Sequence, residues 1–137
     1  MNEIKYYPTS KRILVKSGMC YNFEYYILNL GTHPTAYVEL PVTNYYYSKS
    51  IEDIDIEVHG GITYSCSYLY LPKVKLTNSW FIGWDYAHLG DFMGYYGWSY
   101  PTRIFRNRGK KWTSEEIMQD VINVCQQLTI KGGKVNG

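Results

Sequence analysis

Apolar residues recur at every second position in several stretches of the chain, and at every third or fourth position near its end. The first rhythm is that of a β-strand, the second that of an α-helix. Residues 11–16 carry Ile13, Leu14 and Val15 and stop at Ser17-Gly18. Residues 21–30 then place Phe23, Tyr25 and Ile27 on one parity and Tyr26, Leu28 and Leu30 on the other. Two apolar runs around a short Gly-containing turn predict a β-hairpin over 11–30, turning at Ser17-Gly18. Pro34 biases His33 toward an extended backbone. A third strand is expected over about 35–41, followed by a tyrosine-rich polar loop from Asn44 to Ser50.

Alternation is strictest from Ile51 to Val58. Ile54, Ile56 and Val58 fall on one side, and Asp53, Asp55 and Glu57 on the other. This predicts the start of a strand region over about 54–70, its carboxylates facing water and discouraging unwanted edge pairing. Trp80, Ile82, Trp84 and Tyr86 predict a central strand over about 79–86, with Asp85 near its C-terminal end. Residues 87–112 are Gly- and Tyr-rich and read as a long loop of the kind that carries function. Thr113 and Glu116 have the spacing of a capping box, and Ile117, Val121, Val124, Cys125 and Leu128 follow at helical intervals. Gly132-Gly133 ends that helix, expected over about 114–129, with a loose tail at 131–137. Strands first and a helix last predict one α+β domain over 1–137: a mainly antiparallel β-sheet with one C-terminal α-helix packed on it.

Composition changes this picture at three points. Sixteen tyrosines and four tryptophans exceed what a core of this size needs, and half-buried tyrosines suit a pocket or a wet amphipathic surface. The formal net charge is only +2, which argues against a duplex nucleic-acid partner. Cys20, Cys66 and Cys125 fit neither a disulfide framework nor a zinc knuckle. No apolar run suggests a secretion signal or a membrane span, so the expected location is cytoplasmic, without a membrane partner. Homo-oligomerisation stays open.

Three segments, GTHPTAYV at 31–38, DIDIEVHGGITY at 53–64 and WFIGWDYAHLGD at 80–91, together resemble a family of small, mostly uncharacterised proteins encoded by phages, prophages and Gram-positive bacteria. The similarity runs from about Tyr21 to Leu128. What the resemblance implies is a setting, a phage accessory protein whose employment includes counter-defence against bacterial immunity; no activity comes with it.

All three histidines, His33, His59 and His88, lie within those segments, each within two residues of a Gly or Pro break. Histidine titrates near neutral pH and serves as proton shuttle or ligand donor, although a lone histidine more often simply packs. His59 and His88 are the candidate catalytic residues if the protein is an enzyme. Asp85, His88 and Asp91, three residues apart, are candidate ligands for a divalent metal, although Asp85 serves equally well to orient a histidine. No zinc, Walker or nucleophile-elbow signature is present, and no cofactor is identified. Gly60 and Gly61 permit close backbone approach to a ligand. Arg103 and Arg106 are candidate phosphate contacts, in a basic run that reads equally as a solvated loop. His33, His59, Gly60, Gly61, Asp85, His88, Asp91, Arg103 and Arg106 thus form the expected binding set for a small polar, nucleotide-derived ligand. Two other readings stand beside it: a metal- or histidine-dependent hydrolase or phosphodiesterase, and a protein-binding inhibitor using tyrosines such as Tyr45, Tyr46 and Tyr47. The sharpest expectation is geometric: His59, Asp85, His88 and Asp91 line one concave site where antiparallel neighbours bring their ends together.

Overall fold

A computed structural model describes residues 12–31, 33–87 and 110–133. Seven strands and one long helix are seen among them: β1 (Ile13–Cys20), β2 (Phe23–Asn29), β3 (Pro34–Leu40), β4 (Tyr64–Cys66), β5 (Leu69–Tyr70), β6 (Lys75–Leu76), β7 (Trp80–Asp85) and α1 (Ser114–Lys131). Five of the strands form an antiparallel sheet in the order β1-β2-β3-β7-β4, while β5 and β6 form a separate two-stranded ribbon. The fold is α+β, as the change of rhythm near residue 113 predicts.

The first hairpin turns later than expected. Ser17 and Gly18 lie inside β1, and the two-residue turn is Tyr21-Asn22, with φ of 51° and 68°. A two-residue hairpin with both central residues at positive φ matches the twist of its strands, which is why Asn is welcome there. Gly18 has another task. A Cβ on it would stand 3.2 Å from the Tyr25 hydroxyl, so its bareness lets the cross-strand tyrosine lie over the backbone.

The strictly alternating segment is the larger correction. Residues 51–53 form a 3₁₀ turn, and residues 54–63 belong to no strand. Ile54 and Ile56 are nevertheless buried, and Asp53, Asp55 and Glu57 face water. Alternation reports which side is dry, not who satisfies the backbone. Here α1 does: Glu57 donates its amide to Gln127 Oε1 at 2.8 Å and accepts from Gln127 Nε2 at 2.7 Å, and Lys131 Nζ reaches the Asp55 carbonyl at 2.9 Å. Strand pairing resumes only at β4.

Helix α1 begins where the capping box places it. Glu116 donates its amide to Thr113 Oγ1 at 3.2 Å, and its carboxylate accepts the Thr113 amide at 3.0 Å. Ile117, Val121, Val124, Cys125 and Leu128 are fully buried against Ile27, Val38, Ile82 and Trp84 of the sheet. The loop after β3 closes the far end. Tyr45 donates its amide to the Gly132 carbonyl at 2.7 Å, and Asn44 reaches the Leu128 carbonyl. Tyr46, expected on a binding surface, is a buried core residue, while Tyr45 stays exposed and Tyr47 packs against Trp80.

The opposite face of the sheet has a second, smaller core of Leu28, Tyr37, Leu69 and Phe81, covered by the β5–β6 ribbon. β3 and β7 are therefore dry on both faces, which explains their near-continuous apolar runs. No helix among the described residues is long and apolar enough to cross a membrane.

Candidate functional site

Because β3 and β7 pair antiparallel, Thr35 lies opposite Asp85 and Tyr37 opposite Gly83. Side chains on one strand alternate faces, so these residues share the ribbon-covered side. At the Asp85 end the ribbon does not reach, and a cleft of about 230 Å³ opens there, lined by Leu30, His33, Thr35, Tyr37, Thr63, Tyr64, Trp84 and Asp85. His33 and Asp85, both expected site residues, thus meet in one depression.

The Asp85 carboxylate is held at both oxygens. Thr63 Oγ1 donates to Oδ2 at 2.9 Å, and the Ala87 amide to Oδ1 at 3.1 Å. Thr63 is placed by its own amide bond to the Gly83 carbonyl at 2.9 Å, so the incoming chain and the carboxylate are fixed by the same strand. His33 is anchored through its carbonyl, which accepts from the Leu30 amide at 3.0 Å. Its ring is half-buried at the rim.

Two tyrosines form the floor, edge to face with centroids 5.2 Å apart. Burial pushes the Tyr37 phenol above its ordinary value, partly offset by the Thr35 hydroxyl and the Arg12 guanidinium beside it. Burial also raises Tyr64, whose hydroxyl donates to the Tyr68 carbonyl. Gly83 makes the floor possible. A Cβ there would lie 2.3 Å from the Tyr37 ring, so only a bare backbone lets that ring lie flat across β7.

Thr35 is the anomaly. It is 3% exposed, and its Oγ1 meets no hydrogen-bond partner among the described residues. The Tyr37 phenol is near enough to feel its dipole but does not meet hydrogen-bond geometry. Leaving a buried hydroxyl unpaired costs about 1–3 kcal/mol, so such a group calls for a reason.

His59 is elsewhere. Its ring stacks on Tyr86 at 5.1 Å and 8°, and Trp112 closes against it at 4.7 Å. Tyr86 faces α1: its hydroxyl donates to Asp120 at 2.6 Å and accepts from Trp84 Nε1 at 2.9 Å. Asp85 and Tyr86 are chain neighbours, yet they lie on opposite faces. His59, packed on Tyr86, is not among the residues that line the cleft at Asp85. Lys110 stands over the Trp112 ring at 4.0 Å and pairs with Glu116 at 3.0 Å, completing an aromatic cluster at the start of α1. Gly60 and Gly61, at φ of 70° and 82°, make the turn into β4, with the Gly61 amide bonded to the Val58 carbonyl.

His88, Asp91, Arg103 and Arg106 lie outside the described residues. Among the described residues no group of three or more acidic, Cys or His side chains is placed to hold a metal. Thr35, Tyr37, Thr63 and Tyr64 were not among the expected site residues. One signal for them was present: His33, Thr35 and Tyr37 share a parity. Compared with family models, curated proteins and solved structures, the chain matches none.

Proposed function

We propose that this protein is a binding module for a small polar, nucleotide-derived ligand, one part of which enters the cleft between His33 and Asp85. The unpaired Thr35 hydroxyl carries this reading. A ligand atom that accepts from or donates to it would recover the cost of burying it, and only a polar ligand can do so. The surrounding groups suit a base or ribose edge. Asp85 and His33 bring a carboxylate and an imidazole to the cleft, and the Tyr37 and Tyr64 rings give an apolar floor. At about 230 Å³ the cleft takes a single ring rather than a whole dinucleotide. The Arg12 guanidinium, beside the Tyr37 phenol, suits a phosphate of the same ligand. In the phage setting that the three motifs imply, such a ligand would be a nucleotide signal of host defence, sequestered rather than read.

The test is calorimetry with a panel of mononucleotides, cyclic dinucleotides and ADP-ribose derivatives. At least one should bind, and both Thr35→Val and Asp85→Asn should weaken it at least about tenfold, the value of one good polar contact. Binding that both substitutions leave intact would place the ligand elsewhere and refute the assignment.

A further inference from the structure

At the opposite end of β7 a second, larger cleft of about 550 Å³ opens between the loop before residue 50 and the β5–β6 ribbon, lined in part by Tyr47, Ser67, Tyr68, Lys75, Asn78 and Trp80. Its walls are held from behind. Trp80 donates its indole N–H to Ser65 Oγ at 2.9 Å, and Ser65 in turn donates to the Lys49 carbonyl at 2.6 Å. The polar edge of Trp80 is thus already committed. Tyr47 leans on it at 6.0 Å and 50°, and Ser48 and Asn78 bend the two rims at φ of 67° and 61°.

Lys75 is the functional group of this cleft. Its ammonium stands 4.7 Å from the Tyr68 ring centre and 5.1 Å from that of Tyr70, and the two rings meet edge to face at 5.5 Å. Two aromatic faces orient the cation without neutralising it. Among the described residues no carboxylate pairs with it, and no acidic side chain lines the cleft. A complementary ligand therefore carries an anion. It also carries hydroxyls, because Ser48, Ser67, Thr77 and Asn78 present exposed donors and acceptors along the walls.

Ring geometry narrows the class further. The aromatic pairs meet at 50° and 73°, so no parallel slot exists to sandwich a planar base. Single inclined rings suit the C–H face of a saturated ring, which packs by dispersion and leaves its hydroxyls free for the walls. We propose that this cleft binds an acidic sugar: a pyranose bearing a phosphate or carboxylate, its ring against Trp80 and Tyr47 and its anion on Lys75. The site is separate from the His33–Asp85 cleft and does not depend on the ligand assigned there.

The experiment is a titration of the isotopically labelled full chain, followed by amide and indole resonances, with glucose 6-phosphate, glucuronate, glucose and inorganic phosphate as probes. Glucose 6-phosphate or glucuronate should shift Trp80, Tyr68 and Asn78, and the one that does so names the anion. Lys75→Gln should weaken it at least about tenfold, the value of a charge-assisted contact. Lys75 is exposed, so resonances remote from the cleft should stay in place. Tyr68→Ala should also weaken binding, and Thr35→Val should leave it unchanged. Three results would overturn the proposal: no shift with either charged sugar at millimolar concentration, equal binding of inorganic phosphate, or affinity indifferent to Lys75→Gln.

Discussion

The two faces of the sheet treat their polar groups in opposite ways. On the helix side, nearly every polar atom that goes under cover takes a partner with it. Trp84, Tyr86 and Asp120 form a donor chain, Gln127 serves both backbone groups of Glu57, and Asn44 caps the end of α1. On the ribbon side a two-stranded element covers only the middle of β3 and β7. The Asp85 end of β7 opens there beside the unpaired Thr35 hydroxyl, while at its other end a cleft opens between Lys75 of the ribbon and Trp80, which packs on the helix side. Among the described residues the first face leaves no buried side-chain polar atom unpaired, and the second leaves one, the Thr35 hydroxyl. Functional sites commonly hold groups that packing alone would not leave in place.

The largest expected effect tests that division directly. Leu128→Ala empties a fully buried position under α1 and should cost about 3 kcal/mol, whereas Leu69→Ala under the small ribbon should cost about 2, because the ribbon can settle into the space. Urea unfolding of both variants measures the difference. Equal losses would mean that the ribbon is as firmly built as the helix face.

Gly83 lies between the two faces, and its replacement bears on both. A Cβ there would meet the Tyr37 ring at 2.3 Å and the Ala36 carbonyl at 2.8 Å, and the backbone oxygen cannot swing away. Gly83→Ala should therefore destabilise by about 2 kcal/mol, in the range of overpacked cores, and displace Tyr37 from the cleft floor. Thermal unfolding reads the first effect and ligand calorimetry the second. An alanine tolerated without loss of either would show that the Tyr37 ring is not confined.

What was legible in the sequence follows the range of the interaction concerned. The capping box of α1 is local, with both partners three residues apart, and the structure has it where the spacing predicts it. The turn of the first hairpin is not legible locally, because Ser17-Gly18 is the stronger turn pair by residue type, whereas Gly18 is needed for Tyr25 on the neighbouring strand. The stretch from Ile54 to Val58 showed its dry side faithfully, but not that Gln127 and Lys131, some seventy residues on, supply its hydrogen bonds. The site divides in the same way. His33 and Asp85 stood out by residue type, and their meeting depends on the β3–β7 register, which no local pattern specifies. His59 stood out equally, and the one-residue step from Asp85 to Tyr86 puts its partner on the other face.

A smaller effect of opposite sign isolates the ribbon side. Thr35→Val keeps the shape of the side chain and removes the buried hydroxyl, so the unliganded protein should gain about 1 kcal/mol. Most substitutions at buried positions destabilise, which makes a gain here diagnostic. The same variant should lose affinity for the ligand of that cleft. Chemical denaturation without ligand decides the first half: a loss of stability would mean that the hydroxyl already has a partner, and that the contrast between the faces is weaker than drawn.

Effects of the same size and smaller lie at the start of α1, on the helix side of the sheet. Thr113→Ala removes the acceptor for the Glu116 amide and should cost about 1 kcal/mol. Glu116→Gln is subtler, because glutamine can still accept the Thr113 amide and only the charge is lost. That charge sits beside the helix N-terminus and the Lys110 ammonium, so the substitution should cost about 0.5 kcal/mol at neutral pH. The Thr113 amide, then Lys110, holds the Glu116 carboxyl below its ordinary value of 4.5. A carboxyl with a lowered native value contributes fully above its unfolded value and loses that contribution as the pH falls through the native one. The stability difference between wild type and Glu116→Gln should therefore be constant near neutrality and vanish as the pH drops well below 4.5. Raised salt should shrink it at neutral pH, since the pair is exposed to solvent. Melting curves over an acid series test both dependences, and a difference that persists in acid would assign the effect to packing rather than charge.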